Sequence, residues 1–249
     1  MLEISVATMD MQVANNLLLL GTDVKKITVI NQGNNGNVLP QVKEIHNIEV
    51  HSFNERGLSK SRNRSIQNAT ETWLIFADDD LVFDQKIEKT FINHVRDDVD
   101  IVFFDNKDNT GPHFNQLYSK YKLAFMVTSW TFAVRVEFLN RTGVSFDTQF
   151  GLGATFKSTE ENSFVLDCFK KGARYQILNQ ALVTHEGLST GFKWDTELWK
   201  SKGAFFKRNF GMLGIFLLLL FIFRKVIQTR QNFIVATTGA LKGYFAYGN

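Results

Sequence analysis

Three consecutive aspartates, Asp78, Asp79 and Asp80, directly follow an apolar run at residues 73–77. Adjacent carboxylates repel one another, and each prefers water to an apolar interior. Mg²⁺ and Mn²⁺ bind oxygen ligands, and Mg²⁺ commonly uses one or two carboxylates together with the phosphates of a substrate. This aspartate triplet is therefore a candidate metal site. A solvated acidic loop and the start of a helix are the alternatives.

The apolar run before the triplet predicts a strand that is covered on both faces of a sheet. Other segments rich in β-branched or apolar residues predict strands at 3–8, 26–31, 48–51 and 99–104. Helical patterns lie between them at 11–20, 58–69 and 84–95. Strands that alternate with helices in this way indicate an α/β layer fold with a mostly parallel central sheet.

Polar side chains end several of the predicted strands. Thr8 ends the first strand, Asn31 the second and His51 the third, and the aspartate triplet ends the fourth. In an open parallel sheet, ligands bind beyond the carboxyl ends of the strands. These four points are therefore expected to converge on one cleft.

Two further segments accompany the triplet in a fixed order. The stretch GLSKSRNRSI begins at residue 57, and FGLGATFKSTEENSF begins at residue 150. Together with LIFADDD at residues 74–80, they resemble the glycosyltransferases of family 2. That family typically shows G-L-S-x-A-R-N-x-G, a hydrophobic strand, a D-x-D-type motif and, later, F-G-x-G before an acidic pair. The resemblance covers residues 3–192.

The resemblance implies a GT-A fold, which is a Rossmann-like α/β fold with a mostly parallel sheet flanked by helices. It also implies a nucleotide-sugar donor and a divalent cation, Mn²⁺ or Mg²⁺. On this analogy, Asp80 would ligate the metal, Asp78 would contact the nucleotide, and Asp79 would support either role.

The same analogy extends to the donor pocket. Arg62 matches the arginine of the family motif and would contact the nucleotide, and Thr8 and Asn31 would line the pocket for the base. The sequence departs from the family at three points. The family usually has an acidic residue near Asn31, and Ser61 and Ser65 replace the usual Ala and Gly.

An acidic pair, Glu160 and Glu161, follows the F-G-x-G stretch. The resemblance implies that Glu161 is the general base that removes the proton from the acceptor hydroxyl, so that the reaction inverts the anomeric centre. Glu160 is the alternative base. The pattern Ser158-x-x-Glu161 is also a capping box, in which Glu161 would only stabilise the start of a helix.

A late histidine, His185, follows two β-type segments at 175–178 and 181–184. In several GT-A enzymes a histidine at a comparable point completes the metal shell, and a neutral imidazole is a competent ligand for Mn²⁺. A structural or acceptor-facing role for His185 is the alternative.

Residues 193–249 differ in character from residues 1–192. The first 192 residues contain 19 Lys and Arg and 23 Asp and Glu, whereas the remainder contains 9 and 2, so the net charges are −4 and +7. Residues 210–223 carry no charge and would form a helix of about 21 Å, shorter than the roughly 30 Å hydrocarbon core of a membrane.

These features predict a catalytic domain at 1–192 and a basic, apolar helical region at 193–249. Basic residues at 207–208 and 224–225 flank the apolar run, which favours an interfacial helix that meets anionic lipid headgroups. A buried helix and a contact in a homo-oligomer are the alternatives. The first residues lack the layout of a signal peptide, and the single cysteine, Cys168, suits a reducing compartment. A cytoplasmic location on the inner face of the plasma membrane is expected.

The leading hypothesis is an inverting, metal-dependent glycosyltransferase that uses a UDP-sugar. By family analogy, its acceptor would be a lipid-linked glycan of capsule, exopolysaccharide or O-antigen synthesis. One alternative is a sugar nucleotidyltransferase, although residues 7–12 lack the Gly-rich basic loop expected after the first strand. Another is a peripheral membrane binding protein that kept the fold but lost activity. Nucleic-acid binding is excluded as a main function, because the body is acidic and the basic residues flank an apolar run.

Overall fold

The computed structural model describes residues 1–12, 14, 21–33, 40, 47–106, 112–185 and 194–248. Within these residues, eight strands form one sheet in the order β3-β2-β1-β4-β7-β6-β8-β5. The strands are β1 (Leu2–Thr8), β2 (Lys26–Asn31), β3 (Asn47–Ser52), β4 (Trp73–Asp78), β5 (Leu81–Phe83), β6 (Ile101–Asn106), β7 (Phe132–Arg135) and β8 (Tyr175–His185).

Eight α-helices lie within the described part of the chain. They are α1 (Leu58–Asn68), α2 (Ile87–His94), α3 (Lys120–Met126), α4 (Val136–Thr142), α5 (Glu160–Lys170), α6 (Thr196–Phe210), α7 (Gly214–Thr229) and α8 (Phe233–Ala246). Short 3-10 helices occur at Ser129–Thr131 and Gly211–Leu213. Most of the helix expected at 11–20 lies outside the described residues.

The sheet is mostly parallel, as expected, because six of its eight strands run in one direction, and β7 and β5 are the antiparallel members. Strands β3, β2, β1 and β4 run parallel, as do β6 and β8, but β7 is antiparallel to both of its neighbours and β5 is antiparallel to β8. A parallel neighbour needs a crossover of a dozen or more residues. Strand β5 begins immediately after the aspartate triplet, so it joins β8 at the far edge of the sheet instead.

Strand β4 is covered on both faces, as its apolar sequence predicts. Successive side chains of a strand point to opposite faces. Leu74 and Phe76 pack in a core with Phe132 and Phe164, whereas Trp73, Ile75 and Ala77 pack in a second core on the other face. This alternation also places Asp78, the last residue of β4, on the face of Leu74 and Phe76.

The C-terminal helices pack against the first of these cores. Buried residues of α6, α7 and α8, such as Phe205, Leu218 and Ala240, belong to the same cluster as Phe76 of β4. Helices α6 and α8 touch through their backbones, because a Cβ at Gly203 would lie 1.8 Å from the carbonyl oxygen of Ala240. The proposed boundary after residue 192 stays a prediction.

The C-terminal helical stretch Thr196–Thr229 has 34 residues and contains a window with a mean hydropathy of 2.3, of which 17% is buried. Among the described residues it alone is long and apolar enough to cross a membrane by length and composition, but α6 and α7 within it pack side by side, since the rings of Phe206 and Phe221 lie 5.4 Å apart. A mostly buried core helix, one of the alternatives, does not fit this exposure, and such a helix near the C-terminus is compatible with membrane association.

One basic flank of the apolar segment is not available to lipid. Arg208 forms ion pairs with Asp147 at 2.8 Å and Asp167 at 2.7 Å, and it is mostly buried. The predicted attraction of this arginine to anionic headgroups is therefore wrong, since two carboxylates of the protein already neutralise it.

Candidate active site

The aspartate triplet spans the end of a strand, since Asp78 is the last residue of β4 and Asp79 and Asp80 form the turn that follows. Asp78 lies on the face of Phe76, where its carboxylate is 3.4 Å from Nη2 of Arg62. The hydroxyl of Ser129 donates to its other oxygen at 3.3 Å. Asp78 is therefore held from both sides by residues of the protein.

Asp79 faces the opposite side of the sheet. The hydroxyl of Thr8, at the end of β1, donates to its carboxylate at 2.5 Å. Burial raises the pKa of Asp79, the hydrogen bond from Thr8 opposes that shift, and the charges of Asp80 and Asp78 add to it. Asp80 itself is exposed. The three aspartates thus have three different environments.

Arg62 links the triplet to the acidic pair. This arginine of α1 is fully buried, and its Nη1 lies 2.8 Å from Glu161 and 3.2 Å from Glu160. Burial by itself would lower the pKa of Arg62, but Glu161, Asp78 and Glu160 outweigh it and raise the pKa above the ordinary value. We call Arg62 and its three carboxylate partners the Arg62 cluster.

The two glutamates of the pair differ in accessibility. The side chain of Glu160 is 5% exposed and that of Glu161 is 16% exposed. Burial and the neighbouring charge of Glu161 raise the pKa of Glu160 to about 8, and Arg62 only partly opposes the shift. The pKa shift favours the protonated form of Glu160, whereas the Glu161 side chain lies closer to Arg62 and reaches solvent.

The capping-box interpretation of Glu161 is wrong. Helix α5 begins at Glu160, its N-cap is Thr159 in a left-handed conformation with φ of 81°, and no side chain caps it. The Ser158 hydroxyl has no hydrogen-bond partner within the described structure. Glu161 accepts from Arg62 rather than from the start of the helix, because α1 brings a buried cation to this point.

The carboxyl ends of the parallel strands meet as expected. Asn31 pairs in register with Thr8, is buried, and accepts a hydrogen bond from the N–H of Gly33 at 2.9 Å. His51 lies farther out on β3, where its Nε2 is 3.6 Å from Glu49. Asn31 is thus beside the triplet, while His51 belongs to the edge of the sheet.

The backbone of His185 lies next to the triplet. In the antiparallel pair of β5 and β8, His185 is opposite Leu81, which immediately follows Asp80. This register brings the backbones of the two predicted metal ligands to one place. The side chain of His185 lies outside the part of the chain that is described.

The aspartates fit a hard cation that is completed by a substrate. No group of three acidic, histidine or cysteine side chains converges on one point among the described residues. Asp80 is exposed, and the raised pKa of Asp79 reflects, after burial, the repulsion of neighbouring carboxylates. One or two carboxylates with substrate phosphates are what Mg²⁺ commonly uses.

A family comparison identifies the fold around this site. The model of glycosyl transferase family 2 matches residues 12–152, which is more than half of the chain. The chain belongs to glycosyl transferase family 2. Comparison with curated protein sequences gives no match.

Solved structures share the GT-A fold with this family 2 glycosyltransferase. A structure of S. aureus TarS residues 1–349 superposes with a TM-score of 0.64 at 14% identity, over 98% of this chain and 88% of that one. For another TarS structure the TM-score is 0.61 at 16% identity, and the match covers 84% of this chain but only 40% of that longer chain.

A second kind of neighbour is a mannosyltransferase. The mannosyltransferase PcManGT from Pyrobaculum calidifontis, in complex with GDP-Man and Mn²⁺, has a TM-score of 0.63 at 14% identity over 83% of this chain and 63% of that chain. The α/β GT-A architecture expected from the sequence is therefore confirmed.

Sequence reasoning missed two residues near the Arg62 cluster. Ser129 lies in a 3-10 helix that carries no recognisable motif, and only its bond to Asp78 reveals it. Lys202 of α6 belongs to the C-terminal region. Burial lowers its pKa to about 8, while Glu161 and Glu160 act in the opposite direction. The C-terminal helices thus place Lys202 close enough to Glu160 and Glu161 for their charges to interact.

Proposed function

We propose that this family 2 protein transfers a sugar from a nucleotide-sugar donor to an acceptor hydroxyl with inversion at the anomeric carbon. The observation that carries the proposal is the Arg62 cluster. Arg62, which is buried, joins Asp78, at the end of the donor-side strand β4, to Glu161, at the start of α5. A donor-side carboxylate and a candidate base are thereby held at a fixed separation, which favours reaction between two positioned substrates.

The donor end of the site is assigned to the carboxyl ends of β1, β2 and β4. Thr8 and Asn31 line the base pocket, and Asp78 and Asp79 orient the ribose and diphosphate. Asp80 and His185 hold Mn²⁺ or Mg²⁺. When bound, the cation supplies positive charge to the departing nucleoside diphosphate. The partial burial of Asp79 and the exposure of Asp80 support this division.

Glu161 is the proposed general base. The acceptor hydroxyl attacks the anomeric carbon, a carbon–oxygen bond forms, and the bond to the diphosphate oxygen breaks. The hydroxyl proton passes to the Glu161 carboxylate, and the nucleoside diphosphate leaves. Glu160 is the less favoured base, because its raised pKa leaves less of it ionised at neutral pH and its side chain has less access to solvent.

A uridine nucleotide is the proposed donor class. A TarS structure contains UDP-GlcNAc, and a glucosyl-3-phosphoglycerate synthase from Mycobacterium tuberculosis, with a TM-score of 0.56 at 12% identity, contains Mn²⁺, UDP-glucose and phosphoglyceric acid. That match covers 84% of this chain and 79% of that one. PcManGT contains GDP-Man instead, so guanosine nucleotides belong in the donor screen.

The proposed acceptor is a lipid-linked glycan of surface polysaccharide synthesis, reached from the cytoplasmic membrane face. Large apolar side chains of the C-terminal helices remain exposed, including Phe216, Leu220, Phe223, Ile227 and Ile234. Exposed apolar surface of this extent marks a protein or membrane contact. Arg224 follows Phe223 and is also exposed, which suits an interface with anionic lipid.

Membrane association is tested by changing exposed side chains only. The double variant Leu220→Glu/Phe223→Glu is expected to move from the membrane pellet to the supernatant in a vesicle sedimentation assay. The matched control is Leu117→Glu, because Leu117 is 91% exposed on the catalytic body. Equal sedimentation of the double variant and the wild type would contradict the membrane assignment.

The transferase proposal is tested with Glu161→Gln. The protein is incubated with a panel of UDP- and GDP-sugars, Mn²⁺ and lipid-linked acceptor extracts, and release of the nucleoside diphosphate is measured. The variant should lose roughly 100-fold or more in turnover while it retains donor affinity. Unchanged turnover would refute the assignment of the base.

The same assay separates the alternatives. A nucleotidyltransferase would release pyrophosphate from a nucleoside triphosphate instead of a nucleoside diphosphate from a sugar nucleotide. An inactive binding protein would bind the donor without turnover in either reaction.

A further inference from the structure

A pocket of about 440 Å³ lies beside the Arg62 cluster. The first turn of α1 forms one wall, and the loop that precedes α5 forms the other. Its lining comprises Arg56, Gly57, Ser59, Lys60, Thr148, Gln149, Phe150, Gly153, Ala154 and Thr155. We call it the α1 pocket.

The two walls of the α1 pocket are in direct backbone contact. The N–H of Leu58 donates to the carbonyl of Leu152 at 2.9 Å. A Cβ at Gly153 would lie 3.1 Å from the Cα of Gly57, and Gly153 has a φ of 82°. Both the close approach and the left-handed backbone favour glycine here. The pocket is therefore built into the fold.

The α1 pocket adjoins Glu160, the residue that directly precedes the proposed base. Ser59 lines the pocket, and its hydroxyl donates to the carbonyl of Phe150 at 2.6 Å. Between them, a Cβ at Gly151 would be 3.2 Å from Oγ of Ser59 and 3.3 Å from the carboxyl carbon of Glu160. Helix α1 also begins just after the carboxyl end of β3, so the pocket opens at the edge of the sheet that carries the triplet.

Two cations at the α1 pocket lack acidic partners. Arg56 and Lys60 are exposed, and neither forms an ion pair within the described ranges. The neighbouring acid, Glu55, is already paired with Arg64 at 2.8 Å. The positive end of the α1 dipole adds to the field in the first turn. The local charge of the pocket is therefore positive, although the body of the protein is acidic.

The pocket wall also contacts the C-terminal helices. Phe150 lies 5.6 Å from the ring of Tyr247, which directly follows α8. The hydroxyl of Tyr247 donates to Asp147 at 2.8 Å, next to Thr148 of the pocket lining. The α1 pocket thus lies between the acidic pair and the region with exposed apolar side chains.

We propose that the α1 pocket binds a phosphate group carried by the acceptor. This inference rests on the proposed transferase function and specifies its acceptor as a phosphorylated molecule. Arg56 and Lys60 neutralise the phosphate. Hydrogen bonds come from the polar side chains of Thr148, Gln149 and Thr155. Phe150 packs against the apolar part of the acceptor next to the phosphate. The acceptor hydroxyl then lies toward Glu161.

The probe for this site is sn-glycerol 3-phosphate, with glycerol as its uncharged counterpart. Binding to the full chain is measured by isothermal titration calorimetry, with and without UDP and Mg²⁺, so that the donor site is occupied in one arm. Arg56→Gln/Lys60→Gln should weaken phosphate-probe binding at least tenfold. The control is Lys86→Gln/Lys89→Gln, because these exposed lysines lie at the start of α2, outside the pocket. It should bind as the wild type does.

A second arm identifies the source of the phosphate. Sedimentation with phosphatidylcholine vesicles is compared with and without a small fraction of a polyprenyl phosphate. If the polyprenyl phosphate increases the sedimented fraction of the wild type but not that of the Arg56/Lys60 variant, the phosphate is lipid-borne. If the soluble probe binds and the sedimented fraction does not increase, the acceptor is soluble. Either result supports the proposal.

Three results would overturn the proposal. They are no binding of glycerol 3-phosphate by the wild type, equal binding by the Arg56/Lys60 variant, and equal binding of glycerol. A thermal shift of the wild type with UDP and Mn²⁺ is measured separately. Its absence would count against the transferase function itself, whereas its presence without phosphate binding would reject only the acceptor site.

Discussion

Replacement of Arg62 by methionine should destabilise the protein strongly. Arg62 is fully buried, and three carboxylates lie within 3.4 Å of its guanidinium. Methionine fills part of the space but leaves the partly buried carboxylates of Asp78 and Glu161 without a counter-ion. Removal of one partner of a buried ion pair costs about 3–5 kcal/mol. In a chain of this size, 1 kcal/mol lowers Tm by about 2–4 °C, so a loss of roughly 6–20 °C is expected.

The loss should also depend on pH. Protonation of the stranded carboxylates removes the uncompensated charge, so Arg62→Met should approach the wild type in stability as the pH falls from about 8 to about 5. Chemical unfolding at both pH values measures this change. Arg62→Lys should recover only part of the stability, because a compact ammonium cannot span Asp78 and both glutamates as the planar guanidinium does.

Arg64→Met is the matched control on the same helix. Arg64 is 37% exposed and pairs with Glu55 at 2.8 Å, and an exposed ion pair contributes about 0–1 kcal/mol. If Arg62→Met cost no more than Arg64→Met, or if its cost were the same at both pH values, the Arg62 cluster would not be the buried electrostatic link described above.

Further variants test other parts of the molecule. Asp80→Ala should abolish the thermal shift given by UDP with Mn²⁺, whereas Asp98→Ala, at an exposed aspartate, should not; retention of the shift would exclude Asp80 as a ligand. Glu160→Gln should gain stability relative to the wild type as pH rises from about 5 to about 9. The folded protein keeps the Glu160 proton until its pKa of about 8, while the unfolded chain loses it near 4.5. A pH-independent difference in unfolding free energy would contradict this. Gly203→Ala should lower stability by about 1–3 kcal/mol, since its Cβ would meet Ala240 at 1.8 Å; Leu219→Ala, on the exposed face of α7, should change Tm little.

Local patterns were sufficient for the parallel half of the sheet. The apolar run of β4 and the β-branched segments of β1 and β2 each predict a buried strand, and all three form close to the predicted bounds. The mixed half was not predictable in the same way. Whether β7 runs parallel or antiparallel to β4 depends on contacts between distant segments, which the periodicity of a single strand does not encode.

The sequence by itself determined the candidate residues and their order along the chain. The aspartate triplet, the arginine of the G-L-S motif and the acidic pair can all be recognised from residue type and spacing. These features also identified the family. Local pattern, however, left the role of Glu161 open, because a capping box predicts a purely structural function for the same residue.

Only the tertiary structure decided how these residues differ. Arg62 contacts Glu160 and Glu161 across 98 and 99 positions of sequence, and this contact replaces the capping interaction. Contacts with Arg62 and with the Gly151 loop bury Glu160 and raise its pKa, while the adjacent Glu161 stays partly exposed. Burial and charge proximity set the protonation of a carboxyl group, and both arise only when distant segments pack together.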